Sequence, residues 1–334
     1  MCVSIRFRWA LSVVYGIVVL QNRGEKTSKK RRITHMKDQL FGIEIEITAI
    51  TRKDAAKVMA DYFGTIETYI GGTYQTYTVS DQSGRIWKAM SDASIIAQLK
   101  DGSPASSDYK CEIVSPICKY EDIETIQEIV RKLRAKNAIA PPSCAIHIHI
   151  NGEPYTARSI KNFVNIMESK EDLLFKAVGV TPEREGKWCK KAEPEFIEKL
   201  NGKRNLTKEE IKNIWYSGDI NRCLKRYDFS RYHACNLHSL WQKNTLEVRI
   251  FPGTTHAGKI KAYIQLCLAI SHQALTQQCA SARLTITDNP KYAMRCWMLR
   301  MGMIGKEYET ARYHLLENLS GDTAFRHGRV KAAA

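Results

Sequence analysis

The chain has 334 residues, of which 44% are hydrophobic, so it can bury a sizeable core in one large domain or two small ones. Its formal charge of +16 is uneven: the first 37 residues hold nine Lys or Arg and one acid, which leaves +8 for the other 297 residues. This mildly basic body suits an anionic ligand such as a nucleotide as well as a polynucleotide. Ten cysteines without a CxxC spacing argue against a zinc ribbon or a secreted disulfide framework, and favour reduced thiols in a cytoplasmic protein.

The first 35 residues differ from the rest of the chain. They contain the 12-residue apolar run WALSVVYGIVVL, which is too short to span a bilayer and is followed by no small-x-small cleavage site. We therefore predict that residues 1–35 are a disordered basic leader or an over-extended gene start, without a transmembrane anchor. A basic arm lying on a membrane surface is the alternative.

The first predicted strand is LFGIEIEITA at 40–49. Its apolar residues alternate at period two, which is typical of a strand with one face in a core: Phe41, Ile43, Ile45 and Ile47. Glu44 and Glu46 then share the other face. Because two like charges are unfavourable in a strand, this face is expected to meet something cationic.

Helices and hairpins alternate along the rest of the chain. A helix is predicted from about Arg52 to Gly64, then strands around TYIGGTYQTYTV, SDQSGRIWKAM and YKCEIVSP, and a helix over DIETIQEIVRKLRA. Next come the strand PPSCAIHIHIN, a long helix ARSIKNFVNIMESKEDLLFKAV, and a polar region at 180–230 with one helix around LTKEEIKNIWY. The strand NTLEVRIFPG, the helix GKIKAYIQLCLAISHQALTQQ and two short helices in 289–303 and 306–318 complete the pattern. This order predicts an α+β fold with a largely antiparallel sheet, in one domain over 36–320 with a flexible tail at 321–334.

Three later strands repeat the design of the first. In each, apolar residues alternate with ionisable ones, so the strands around 110–114, 145–151 and 244–251 also have one polar face. If the four strands share a sheet, their polar residues converge: Glu44, Glu46, Glu112, His147, His149, Glu247 and Arg249. Four crowded carboxylates repel one another unless divalent cations neutralise them, and oxygen-rich ligation favours Mg²⁺ or Mn²⁺.

The order of these segments resembles the amidoligase family, a group of carboxylate–amine ligases with the fold of glutamine synthetase and glutamate–cysteine ligase. The resemblance runs from about Phe41 to Leu268 and depends on FGIEIE, EIVSP, SCAIHIHI, RYHACNL and NTLEVRIF, with WKAMSDASI similar to the family's WxxxxDxS segment. The chain departs from the family at Ala145, where relatives usually have a glycine before the first His.

The resemblance implies a curved, mainly antiparallel half-barrel sheet with flanking helices, which binds ATP and two or more Mg²⁺ (or Mn²⁺) ions. It implies that four acids bind the metal ions and that two histidines contact metal or phosphate. It also implies that Arg249 contacts the γ-phosphate, that Arg249, Glu46 and Arg231 have catalytic roles, and that Asp92 takes part in cofactor binding. The metal ligands on this assignment are Glu44, Glu46, Glu112 and Glu247, and the histidines are His147 and His149.

The implied reaction joins the carboxylate of a small molecule or peptide to an amine co-substrate through an acyl phosphate. Phosphoryl transfer needs cations more than a protein nucleophile, which accounts for a site of acids and arginine. The family is often encoded in mobile elements, and the sequence leaves the substrates and the oligomeric state open.

Two other functions are alternatives for the same residues. A metal-dependent hydrolase could use His147 and His149 with a carboxylate on zinc. A nucleic-acid-binding module would use the positive charge but gives no reason for the glutamate face, so no specific nucleic-acid partner is predicted. The chain has no GxxxxGK[ST] loop, and EREGKWCKK at 183–191 is interpreted either as a mobile cationic lid or as a solvated loop.

Overall fold

The computed structural model describes residues 35–327 of the chain. The predicted leader, except for its last residue, lies outside the described residues, as do the last seven residues of the predicted tail. Within the described part, no helix combines the length and the apolar character needed to cross a membrane.

Eight strands form one open, curved antiparallel sheet. They are β1 (Phe41–Ile47), β2 (Glu67–Gly71), β3 (Thr76–Ser80), β4 (Ile86–Met90), β5 (Cys111–Val114), β6 (Ala145–Asn151), β7 (Cys235–Asn236) and β8 (Thr245–Pro252). Their order across the sheet is β2-β3-β4-β5-β1-β6-β8-β7. The four strands with predicted polar faces, β5, β1, β6 and β8, are therefore neighbours, and the prediction that they share a sheet is confirmed.

Helices flank the sheet. They are α1 (Arg52–Phe63), α2 (Asp122–Ala135), α3 (Ala157–Val178), α4 (Pro182–Trp188), α5 (Pro194–Gly202), α6 (Lys208–Trp215), α7 (His238–Lys243), α8 (Ala257–Thr276), α9 (Pro290–Arg300) and α10 (Glu309–Leu316). The polar region at 180–230 thus contains three helices where the sequence predicted one. Two of them, α4 and α5, begin with Pro at the first helical position, where the missing N–H costs nothing.

The apolar residues of β1 and β6 form the core with the helices. Ile43 and Ile45 are buried on β1, as are Ile146 and Ile148 on β6, and they belong to one cluster of buried side chains that includes residues from every helix named above except α4. Helix α8 packs against β6, and α3 packs against both α8 and β8. The opposite side of these four strands, which carries the alternate residues, is called the polar face below.

A close approach between two chain segments sets the register of β8 on β6. The backbone N–H of Gly152, just after β6, donates to the carbonyl of Asn244, just before β8, at 2.8 Å. A Cβ atom on Gly152 would lie 2.6 Å from that carbonyl oxygen, so only glycine fits. Because register decides which residues share a face, this contact helps to place His149 directly opposite Glu247.

Candidate active site

The polar face gathers seven ionisable side chains from the four central strands. Glu44 lies opposite His147, Glu46 opposite Glu112, and His149 opposite Glu247. The seven are those that the sequence predicted to converge: Glu44, Glu46, Glu112, His147, His149, Glu247 and Arg249. All of them are buried except Glu44, whose side chain is 18% exposed. The structure therefore brings together the four carboxylates, the two histidines and the arginine.

Glu44 lies at the centre of this cluster and contacts three bases. Its Oε2 is 3.2 Å from His147 Nδ1, and its Oε1 is 3.1 Å from His149 Nε2. Lys243, from α7, places its Nζ 3.3 Å from the same Oε1 with about half of its side chain exposed. One carboxylate thus faces both histidines of the HxH segment, and Lys243 covers it from solvent.

Glu247 is held by two partners. Arg249 donates through Nη1 to Glu247 Oε1, and Asn236 Nδ2 donates to Oε2 at 2.7 Å. All three side chains are buried. A buried carboxylate needs such donors, because it has left its hydration behind. The pairing fixes the orientation of Glu247 toward His149.

A β-bulge positions Arg249. Between Ile146 and Ile148 on β6 the register shifts by one residue, so that β8 has an extra residue there. Because of the bulge, both Ile250 and Phe251 are buried, whereas strict alternation would send one of them to the polar face. The Arg249 carbonyl accepts a hydrogen bond from Arg184 Nη2 at 3.1 Å.

Arg184 was not among the predicted site residues. It lies on α4, is buried, and leaves its Nε without a hydrogen-bond partner. The segment 183–191, interpreted from sequence as a lid or a solvated loop, is helical over its first part and has Arg184 and Cys189 buried. The carbonyl of Trp188 also accepts from Arg249 Nε at 3.4 Å. This segment therefore supports the bulge of β8.

Two of the four carboxyl groups have raised pKa values. Burial, and then the Asp92 charge, raise the pKa of Glu46 to about 8. Burial, followed by the charges of Glu44 and Asp92, raises the pKa of Glu112 well above its usual range. These two carboxyl groups face each other across β1 and β5, so ionising both is unfavourable without a cation.

The other two carboxyl groups are ionised. Burial by itself would raise the pKa of Glu44, but the nearby charge of Lys243 contributes most to lowering it well below its usual range. Burial acts in the same way on Glu247, but the charges of Arg249, His149 and His147 together outweigh it, so the pKa falls. For His147, burial and then Arg249 lower the pKa to about 4, so the imidazole is neutral and able to act as a ligand.

Three groups of side chains could each hold a cation, with all ligand atoms of a group within 4.8 Å of one another. The groups are Glu44–His149–Glu247, Glu44–Glu112–His147 and Glu46–Asp92–Glu112. An octahedral cation with bonds of about 2.1 Å separates neighbouring ligand atoms by about 3 Å. The 3.1 and 3.2 Å separations between Glu44 and the two histidines match that spacing.

A second observation also supports a divalent cation at this site. Nε2 of His149 is buried and makes no hydrogen bond, although it lies 3.1 Å from Glu44 Oε1. A nitrogen lone pair and a carboxylate oxygen at this distance suit two bonds to one ion. The Glu46–Asp92–Glu112 group offers only oxygen, which suits Mg²⁺ or Mn²⁺, and the other two add one imidazole each.

The two remaining predicted residues, Asp92 and Arg231, differ in their relation to the cluster. Asp92 joins Glu46 and Glu112 in a candidate cation group, and its Oδ1 accepts from the backbone N–H of Ser94 at 2.6 Å. Arg231 lies at the border of the cluster: its guanidinium is 5.5 Å from the ring centre of Tyr232, and that of Arg249 is 5.9 Å from the same ring. Arg231 forms no ion pair with a described carboxylate, so it adjoins the cluster through Tyr232 and not through an acid.

Besides Arg184, sequence reasoning missed two lysines. Lys243 precedes β8 in a stretch without periodicity, so nothing local pointed to Glu44. Lys88 lies on β4, paired with Val114, which pairs in turn with Glu44, so it shares the polar face. The side chain of Lys88 is half-buried and makes no hydrogen bond or ion pair with any described residue. The sequence did contain a signal for its position, because Lys88 alternates with the apolar residues Trp87 and Ala89.

Comparison with known proteins assigns the chain to a family. No curated protein matches the chain. A family model described as "Putative amidoligase enzyme" matches residues 37–271, which include all eight strands and every residue of the cluster. The chain belongs to the amidoligase family.

Proposed function

We propose that the protein is an ATP-dependent carboxylate–amine ligase that works with Mg²⁺ or Mn²⁺ through an acyl phosphate. Membership of the amidoligase family supports a ligase. The observation that carries the proposal is the polar face itself, on which four carboxyl groups, two histidines and Arg249 converge. Such a site suits phosphoryl transfer, in which positioning and charge stabilisation supply most of the catalysis.

The chemistry proceeds in two displacements. An oxygen of the substrate carboxylate attacks the γ-phosphorus of ATP, the bond from that phosphorus to the β–γ bridging oxygen breaks, and ADP leaves. The amine nitrogen then attacks the acyl carbon, the bond from that carbon to the phosphate oxygen breaks, and one N–H proton passes to water. The products are an amide, ADP and inorganic phosphate. Bound divalent cations would neutralise the phosphate oxygens during both steps.

The residues of the polar face would divide the work. The three candidate cation groups would hold the cations, and Glu44 would serve two of them, since it belongs to two of the groups. Arg249 uses one donor on Glu247 and one on the Trp188 carbonyl, which leaves three of its five N–H groups for the γ-phosphate. Its partners hold the guanidinium in place before the nucleotide arrives, so little ordering is left for binding.

Lys88 would supply a further cation for an anionic substrate group. Its ammonium lies on the polar face in line with Glu44, two strands away, which corresponds to about 10 Å between backbones. Burial lowers the pKa of Lys88. Because it has no carboxylate partner, it is available to the substrate carboxylate or to a nucleotide phosphate.

The zinc-hydrolase alternative required both histidines on one metal with a carboxylate. Among residues 35–327, each candidate cation group contains at most one histidine, because His147 and His149 belong to different groups. The geometry therefore does not favour that alternative.

The test is a screen of the purified protein for ADP release with pooled amino acids and peptides in Mn²⁺ or Mg²⁺. Mass spectrometry of the active pools should find a product equal to the acid plus the amine minus one water. Substrate cleavage without ATP would contradict the proposal and favour the metal-dependent hydrolase. An Arg249→Gln variant serves as the background control for contaminating ATPases.

A further inference from the structure

A cavity lies in the helical layer, away from the polar face. It measures about 630 Å³ and is bounded by α3, α8, the 279–281 segment and α9. Its size is typical of small-molecule sites. None of the seven polar-face residues lines it. Because α3 and α8 pack on the other side of the sheet, the sheet separates this cavity from the candidate active site.

The lining of the cavity is basic. It includes Lys170, His272 and Arg300, and it contains no Asp or Glu. Burial, and then the charge of Arg300, lower the pKa of Lys170, so the two cations lie close enough to repel each other. Like charges held together in a partly buried site are unfavourable unless an anion lies between them.

Lys170 is held in a fixed position. Its Nζ donates to Thr285 Oγ1 at 2.6 Å and lies 5.7 Å from the ring centre of Trp297. An ammonium has three donors, so two remain. Arg300 is exposed and makes no hydrogen bond or ion pair with a described residue, so its planar guanidinium has all five donors available. Together they offer a point charge and a two-pronged donor, the combination that suits phosphate or carboxylate oxygens.

The neighbouring polar groups add donors rather than negative charge. Nδ1 of His272 is buried without a hydrogen-bond partner. Gln273 accepts from Trp297 Nε1 at 3.1 Å through its carbonyl oxygen, which turns its amide nitrogen outward as a donor. Asp38 acts electrostatically on His272, but it is not part of the lining. The cavity therefore offers hydrogen-bond donors and two cations, and its lining contains no carboxylate.

We propose that this cavity is an anion-binding site, distinct from the active site, that takes a small molecule carrying phosphate or carboxylate groups. The proposal does not depend on the proposed ligase activity. The basic N-terminal segment of the chain is a poor occupant by charge, since its first 37 residues carry a net +8.

The exposed thiol of Cys279 lines the cavity and gives a local readout. The full-length protein is alkylated with iodoacetamide in EDTA at constant ionic strength, with increasing pyrophosphate or, separately, citrate, and the rate at Cys279 is followed by peptide mass spectrometry. The half-exposed thiol of Cys296, on α9 but outside the lining, is the internal reference.

Saturable protection of Cys279 by at least one of the two anions is expected. Arg300→Gln should weaken it about tenfold or more, the value of a charge-assisted hydrogen bond. Lys170→Gln should do the same, and Lys176→Gln, which removes an exposed charge from the same helix, should leave it unchanged. If Lys170→Gln does not fold, the test depends on Arg300→Gln, which changes an exposed residue. No saturable protection by either anion, or equal protection in the Arg300 variant, would overturn the proposal.

Discussion

Replacing Glu46 by Gln tests the electrostatics of the polar face without disturbing its packing. Glu46 is 3% exposed, and it faces Glu112 across the strand pair. The Ala145 N–H donates to its carboxyl group, and a glutamine oxygen accepts that bond equally well. At pH 5 the variant should therefore be nearly as stable as the parent, because Gln resembles the protonated acid in size and polarity.

The difference grows with pH. In the folded, metal-free protein the pKa of Glu46 is raised from 4.5 to about 8, so the unfolded chain releases this proton first. The stabilisation that the protonated group provides is complete below pH 4.5 and is lost as pH rises through 8. Each pH unit between them costs about 1.4 kcal/mol, so the total is on the order of 5 kcal/mol. Gln cannot ionise and escapes this loss.

The assay is urea unfolding of both proteins in EDTA at pH 5, 6.5, 8 and 9. The free energy of unfolding of Glu46→Gln relative to the parent should rise by several kcal/mol across the series. An exposed replacement on α5, Glu198→Gln, is the matched control and should show no such trend. Parallel curves for Glu46→Gln and the parent would refute the conclusion that this carboxyl group is protonated in the folded protein.

Three further predictions concern the same face. Mn²⁺ bound by Glu46 would displace the proton of this carboxyl group, whose pKa is about 8, so the apparent Kd should tighten by up to about tenfold per pH unit from pH 6.5 to 8. A pH-independent Kd by calorimetry would contradict this. Arg249→Lys should fold but lose about 10²–10³ in turnover, because an ammonium lacks the planar, two-pronged donor that contacts Glu247 and phosphate together. Full ADP release by this variant would contradict the phosphate role of Arg249. Arg184→Met should cost about 1–3 kcal/mol in urea unfolding, because it leaves the Arg249 carbonyl without its donor; unchanged stability would show that the bulge needs no such support.

Much of the polar face could be predicted from local pattern. Strict alternation in LFGIEIEITA and AIHIHIN states which residues share a face, since side chains alternate along any strand. Neighbouring strands with the same design then point to one shared face. Alternation does not give the strand order, so the direct facing of Glu44 and His147 depended on β1 lying between β5 and β6.

The parts that sequence reasoning missed are set by long-range packing. Arg184 lies 65 residues before Arg249, and its role exists only because β8 bulges. The pattern Leu246, Val248, Ile250 predicts an unbroken strand, and nothing in it indicates the extra residue. Lys243 likewise meets Glu44 across 199 residues of sequence. Such contacts leave no periodic signal in either segment.

The central claim is that divalent cations hold the carboxylates of the polar face together, with Glu44 shared between two of them. The direct measurement is a Mn²⁺ titration followed by electron paramagnetic resonance at pH 8, on the parent and on Glu44→Gln. The parent should bind two or more Mn²⁺ ions, and Glu44→Gln should retain at most one tight ion, at the Glu46–Asp92–Glu112 group. No tightly bound Mn²⁺ in the parent, or the same number in both proteins, would contradict the claim.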